Sequence, residues 1–155
     1  MSVKISGASP VSEIDIDRFA NELGHKLPDT YIEFVLLHNG AKPETNVFKI
    51  SEDNDCGVDR FIPVLKIRDE IKNIDHVSST KIPIAWAEGG NYLLLDLDSG
   101  KISFWDHEIP EEQYYIAPDI NVFIEQLKPF DPSTIELKEG QVKSAWIDPD
   151  FLKNL

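Results

Sequence analysis

An α+β domain is expected, an antiparallel β-meander packed against N-terminal and C-terminal α-helices. Three observations carry this expectation. Apolar residues recur at helical spacing over 12–38 and again over 119–127. Between them, 82–106 alternates at period two. Its runs are joined by tight glycine-bearing turns, and strands joined so closely cannot be parallel, because a parallel crossover needs about a dozen residues.

The first helix is announced by Ser12-Glu13-Ile14-Asp15, which offers an N-cap and capping-box chemistry. Ile16, Phe19, Ala20 and Leu23 then share one face, and Gly24 can take the left-handed conformation that ends a helix. After Leu27-Pro28 a second helix is expected, since proline is tolerated at a helix start. Its buried stripe would be Tyr31, Phe34, Val35 and His38, with Asn39-Gly40 as the stop.

The pattern then changes to short strands. Residues 47–50 and 61–67 read as strands flanking an acidic loop, 52–59, and 69–80 as a helical turn and a loop. The strongest β signal follows: 82–87, the turn Glu88-Gly89-Gly90-Asn91, 92–97, the turn Asp98-Ser99-Gly100, and 101–106. Alternation places Leu93, Leu95 and Leu97 on one face with Ile102 and Phe104. The other face receives Tyr92, Leu94, Asp96, Ser103, Trp105 and His107. A last helix begins at Asp119, its inner face made of Ile120, Phe123, Ile124 and Leu127. The chain therefore divides into a loose leader, 1–11, a domain, 12–128, and a C-terminal extension, 129–155. The extension carries Ile135, Leu137, Trp146, Ile147, Phe151 and Leu152, and is expected to pack back on the domain.

Bulk composition narrows the function classes. The 155 residues are 41% hydrophobic, a globular balance, with no apolar run of signal-peptide or membrane-span length. Cys56 is alone, so no intramolecular disulfide can form and a reducing cytoplasm is the expected location. Fifteen Lys+Arg against 28 Asp+Glu give a net charge of −13. Such a surface repels nucleic acid and anionic membranes and attracts a basic protein.

No constellation for catalysis, metal or cofactor stands out. Asp53, Asp55, Gly57 and Asp59 resemble a calcium loop only briefly, because Val58 and Val64 fall where an EF-hand loop needs glycine and glutamate. Asp106-His107-Glu108 cannot converge on one ion from adjacent strand positions without a bend. His25, His38 and His76 have no ligand-spaced histidine, and Cys56 lacks a context that would lower its pKa. Nucleophile-elbow, phosphate-loop and HExxH patterns are missing from the sequence. Trp86, aligned with Ile82 and Ile84, is expected in the core. Trp105 suits either a core or an interface, since its face also carries Asp96, Ser103 and His107.

The ordered set of turns and core residues resembles the SUKH superfamily of Smi/Knr-type domains. The matching features are Ile16, Leu23-Gly24, Leu27-Pro28, Tyr31, Phe34 and Asn39-Gly40, then 82–85, Gly89-Gly90-Asn91 and 95–97, then Asp106-His107, Ile116-Ala117 and Phe123. The resemblance spans 12–127. It departs at Ala20, where a glutamate is common, and at Ile120, where an aromatic is common. It implies a binding domain without catalytic residues, metal or cofactor, a monomer when unbound. Many bacterial members are immunity proteins that neutralise a toxin, often a nuclease, delivered between competing cells in contact-dependent inhibition. A nuclease cleft is basic, and an acidic inhibitor complements it. The expected docking residues are Glu52, Asp53, Asp55, Asp59, Glu108, Glu111 and Glu112 as steering charges, with Trp105 as the buried anchor. The alternatives are a regulatory or scaffolding module like the family's cell-wall regulators, and an enzyme whose site is assembled from distant residues.

Overall fold

The computed structural model describes residues 5–129, so the expected packing of 130–155 lies outside the described residues. The chain begins with a short strand, β1 (Ile5–Ser6), followed by two helices, α1 (Glu13–Leu23) and α2 (Asp29–His38). Ser12 caps α1 as its sequence predicts. Its Oγ accepts from the Asp15 N–H at 3.1 Å, and the Asp15 carboxylate accepts from the Ser12 N–H at 3.4 Å. Gly24, at φ 73°, ends the helix in the left-handed region. In α2, Tyr31, Phe34 and Val35 are buried while His38 is only partly so.

Asn39 does more than stop a helix. Gly40, at φ 72°, makes the left-handed turn, which leaves the Asn39 side chain free to bridge two other segments. Its Oδ1 accepts from the Val64 N–H at 2.8 Å, and its Nδ2 donates to the Ser9 carbonyl at 3.2 Å. At 6% exposure, Asn39 is the buried polar residue of the described core, and these bonds satisfy it. From Ile5 on, the leader is accordingly tied to the domain. The Ser9 N–H also bonds the Asn39 carbonyl at 2.8 Å, and β1 pairs antiparallel with β2 (Lys42–Pro43).

Six antiparallel strands follow in sequential order: β3 (Val47–Ser51), β4 (Asn54–Phe61), β5 (Lys81–Ala87), β6 (Asn91–Asp96), β7 (Ile102–Trp105) and β8 (Gln113–Ala117). Two expectations are corrected here. Most of the acidic loop at 52–59 is strand β4, with only Glu52-Asp53 turning the hairpin. The expected strand at 61–67 is the helix α3 (Val64–Ile71), which Pro63 starts by fixing the backbone before it. Val64 and Ile67 point inward from it, one turn apart.

The meander itself has the expected faces. Leu93 lies opposite Phe104 and Leu95 opposite Ile102, while Tyr92 lies opposite Trp105 and Leu94 opposite Ser103. The first face supplies the aromatic core. Phe123, from the short last helix α4 (Ile120–Gln126), packs edge-on to Phe48 at 5.6 Å and to Phe61 at 6.5 Å. Phe34 of α2 packs on Phe61 at 4.7 Å, again edge-on. After α4 the chain returns to the sheet, where Lys128 exchanges two backbone hydrogen bonds with Val47, each of 2.9 Å. Among the described residues, no helix is long and apolar enough to cross a membrane.

At one end of the molecule a histidine clasps the α1–α2 loop to the β6–β7 turn. His25 Nδ1 faces the Lys26 carbonyl at 2.7 Å, and its Nε2 faces Asp98 Oδ1 at 2.8 Å. Both partners accept, so both ring nitrogens are best served when protonated, and the imidazole pKa is raised above 6.5 by the Lys26 carbonyl and the Asp98 carboxylate. A group whose folded pKa is raised contributes stability below its unfolded pKa and loses it as pH rises through the folded value. The melting temperature of wild type should therefore exceed that of His25→Gln by a margin that shrinks from pH 5.5 to pH 8.5. A margin independent of pH would show that the clasp carries no proton-linked stability.

Candidate functional site

The sheet brings the two predicted acidic segments to one end. β3 and β4 meet at Ser51 and Asn54, β5 and β6 at Ala87 and Asn91, and β7 and β8 at Trp105 and Gln113. In a consecutive antiparallel sheet, these three turns open on the same side. Hydrogen bonds tie them to one another. Glu88 exchanges bonds with Gly57: its N–H donates to the Gly57 carbonyl at 2.9 Å, and its Oε1 accepts from the Gly57 N–H at 3.1 Å. Asn91 Oδ1 accepts from the His107 N–H at 3.0 Å and faces its Nδ1 at 2.7 Å.

The lack of a side chain at Gly57 makes room for this arrangement. A Cβ there would lie 2.6 Å from a Glu88 carboxylate oxygen, so any side chain displaces the carboxylate that links the first two turns.

This end carries a dense negative charge. Glu52, Asp53 and Asp55 stand exposed on the first hairpin, and Glu108, Glu111 and Glu112 on the third. Asp59 is exposed too, but it sits farther down β4 at a bulge. Sequence reasoning missed Glu88 and Asp106, which the topology adds to the same end. Glu88 lies in the turn of the clearest hairpin and Asp106 directly follows β7, and those positions were the available signal. Lys49 is the nearby cation, its Nζ donating to the Glu52 carbonyl at 3.2 Å.

Trp105 does not stand on this surface. It is 2% exposed, packs against Tyr92 at 5.9 Å, and donates its indole N–H to the Asp75 carbonyl at 3.1 Å. A side chain already buried and hydrogen-bonded inside the domain offers no area to a partner. Ile109, by contrast, stands 40% exposed within the third turn, between Glu108 and Glu111. It was not singled out, because one isoleucine in an acidic turn has no periodicity to mark it.

Below the acidic end lies an aromatic row. The register sets Trp86, Tyr92 and Trp105 side by side on β5, β6 and β7. Trp86 is half-buried rather than enclosed in the core, and Glu70 of α3 anchors it. Glu70 Oε1 accepts from Tyr92 OH at 2.5 Å, from Trp86 Nε1 at 3.0 Å and from Asn73 Nδ2 at 3.3 Å. Partial burial works against its charge, but these three donors outweigh that penalty and hold the carboxyl below its usual pKa.

Cys56 is not poised as a nucleophile. Burial and the Glu88 carboxylate push the Cys56 thiol up to about 11, so it stays protonated at neutral pH. Among the described residues, no group of three or more His, Cys, Asp or Glu side chains could hold a metal ion.

The arrangement defines a class, an α+β domain whose curled meander presents linked acidic turns at one end. The chain belongs to the SMI1 / KNR4 family (SUKH-1), which it matches over residues 10–126. It is also similar to the SPbeta prophage-derived uncharacterized protein YokK of Bacillus subtilis (strain 168), 34% identical over 76 residues. That match covers 47% of this chain and 39% of the relative's length.

Proposed function

We propose that the chain is a non-catalytic immunity protein that neutralises a cognate toxin by stoichiometric occlusion in the cytoplasm. The observation that supports this most is the clustering of acidic side chains on three linked turns at one end of the sheet. Such an end steers a basic surface toward it, and a nuclease must be basic where it holds phosphates. No bond is made or broken. The carboxylates Glu52, Asp53, Asp55, Glu88, Glu108, Glu111 and Glu112 supply steering, and Ile109 supplies apolar contact.

The test is co-expression with the cognate toxin domain, at graded ratios of the two proteins. Protection should appear only near one-to-one, and purified mixtures should give a complex of one copy of each. Protection at strongly substoichiometric amounts would point to turnover and sink the proposal.

A further inference from the structure

Glu70 uses only half of its carboxylate inside the domain. All three of its hydrogen bonds fall on Oε1, and among the described residues Oε2 accepts none. The cations of α3 leave it so. Arg68 is engaged with Glu22 at 3.1 Å and Lys72 approaches Asp69 at 4.0 Å, while the Lys66 ammonium, one turn back, favours the Glu70 charge through space without a hydrogen bond to it. On β4, Arg60 is the cross-strand neighbour of Trp86, and its guanidinium lies near Gly7. A charged, pre-oriented oxygen thus sits beside a partly exposed indole whose own N–H is already committed.

That pairing has a recognisable complement. A planar guanidinium can stack on an indole face while its N–H groups donate to a carboxylate, and it is less strongly hydrated than an ammonium. The position fits as well. Trp86 is two residues from Glu88, Tyr92 adjoins Asn91 and Trp105 adjoins Asp106, so the Glu70–Trp86 pair lies next to the acidic turns.

We propose that Glu70 Oε2 and the indole of Trp86 form a receptor for one arginine side chain of a basic protein partner. Tyr92 and Asn73 are positioning residues that fix the carboxylate, and the acidic turns bring the guanidinium to it. This deepens the docking proposal and rests on it for the partner, but the test needs no toxin.

The probe is N-acetyl-arginine amide, titrated into the full chain while the two indole N–H resonances of Trp86 and Trp105 are followed. The Trp86 signal should move saturably and that of Trp105, buried and bonded to Asp75, should not. N-acetyl-citrulline amide, the same shape without charge, should move Trp86 at least about tenfold less well, the scale of a charge-assisted bond against a neutral one. Glu70→Gln keeps an oxygen for Tyr92 and Trp86 but removes the charge, and it should weaken the arginine response to a similar degree. Equal responses to arginine and citrulline, or equal shifts at both tryptophans, would overturn the receptor even if Glu70→Gln failed to fold. A toxin that bound normally to Glu70→Gln would overturn it too, while leaving the acidic turns as the docking surface. Arginine binding without any toxin complex would instead leave the receptor in place and remove the immunity proposal.

Discussion

Replacing Phe123 by alanine is expected to cost about 3–5 kcal/mol of folding free energy, the range for the largest truncations in a core. Phe123 is fully buried and touches two other core rings, Phe48 on β3 and Phe61 on β4. Its helix is short. Seven residues cannot hold helical structure alone in water, so α4 depends on the apolar contacts of Ile120 and Phe123. Removing the larger contact leaves a cavity and frees the segment that delivers Lys128 to the edge of β3. Urea denaturation of Phe123→Ala beside Glu125→Ala checks this, since Glu125 is exposed on the same helix and should stay within about 0.5 kcal/mol of wild type. A Phe123→Ala midpoint equal to that of Glu125→Ala would mean that α4 is held by something other than its apolar face.

The second large effect concerns association. Neutralising Asp53, Asp55, Glu108 and Glu111 together, to Asn and Gln, should slow association with the cognate toxin about tenfold at low salt. Dissociation should change little, because steering charges act mainly before contact. The deficit should fade as salt rises and shortens the reach of the charges. The comparison is a variant with the same loss of charge at Asp17, Glu33, Glu44 and Glu125, all exposed but outside the three turns. Equal rates for the two variants would show that net charge alone, and not its placement, governs association.

The sequence made the helices and the central meander legible because each carries a local signal that packing reinforces. Ser12 and Asp15 reciprocate as a capping box needs, and the period-two pattern at 92–105 gave both faces correctly. The failures have local causes as well. Around the start of α3, the run Phe61, Ile62, Val64, Leu65 and Ile67 is rich in β-forming residues, and only the inward pair Val64 and Ile67 betrays the helix. In β4, Asn54, Asp55 and Asp59 are poor strand formers, and the bulge between Val58 and Arg60 breaks the alternation. β8 is silent in the sequence because Gln113–Ala117 is short and lacks a period-two alternation.

Candidate site residues were legible as charges but not as a surface. Nothing in the order Glu52, Glu88, Glu108 says that they share an end until the strands are counted. Trp105 shows the limit from the other side. An aromatic beside acidic residues looks the same in sequence whether it faces water or, as here, donates to the carbonyl of Asp75.

The separation of turns from core has a consequence for how such a protein can diversify. The residues at the acidic end are exposed, and those filling the interior come from strand and helix faces elsewhere. Substitutions at the tips should seldom unfold the domain, since exposed positions usually change stability by no more than about 0.5 kcal/mol. A lineage could therefore rewrite the surface of this end residue by residue while the meander beneath stays the same. Gly57 and Asn91 are where that freedom stops, because they lock the three turns together.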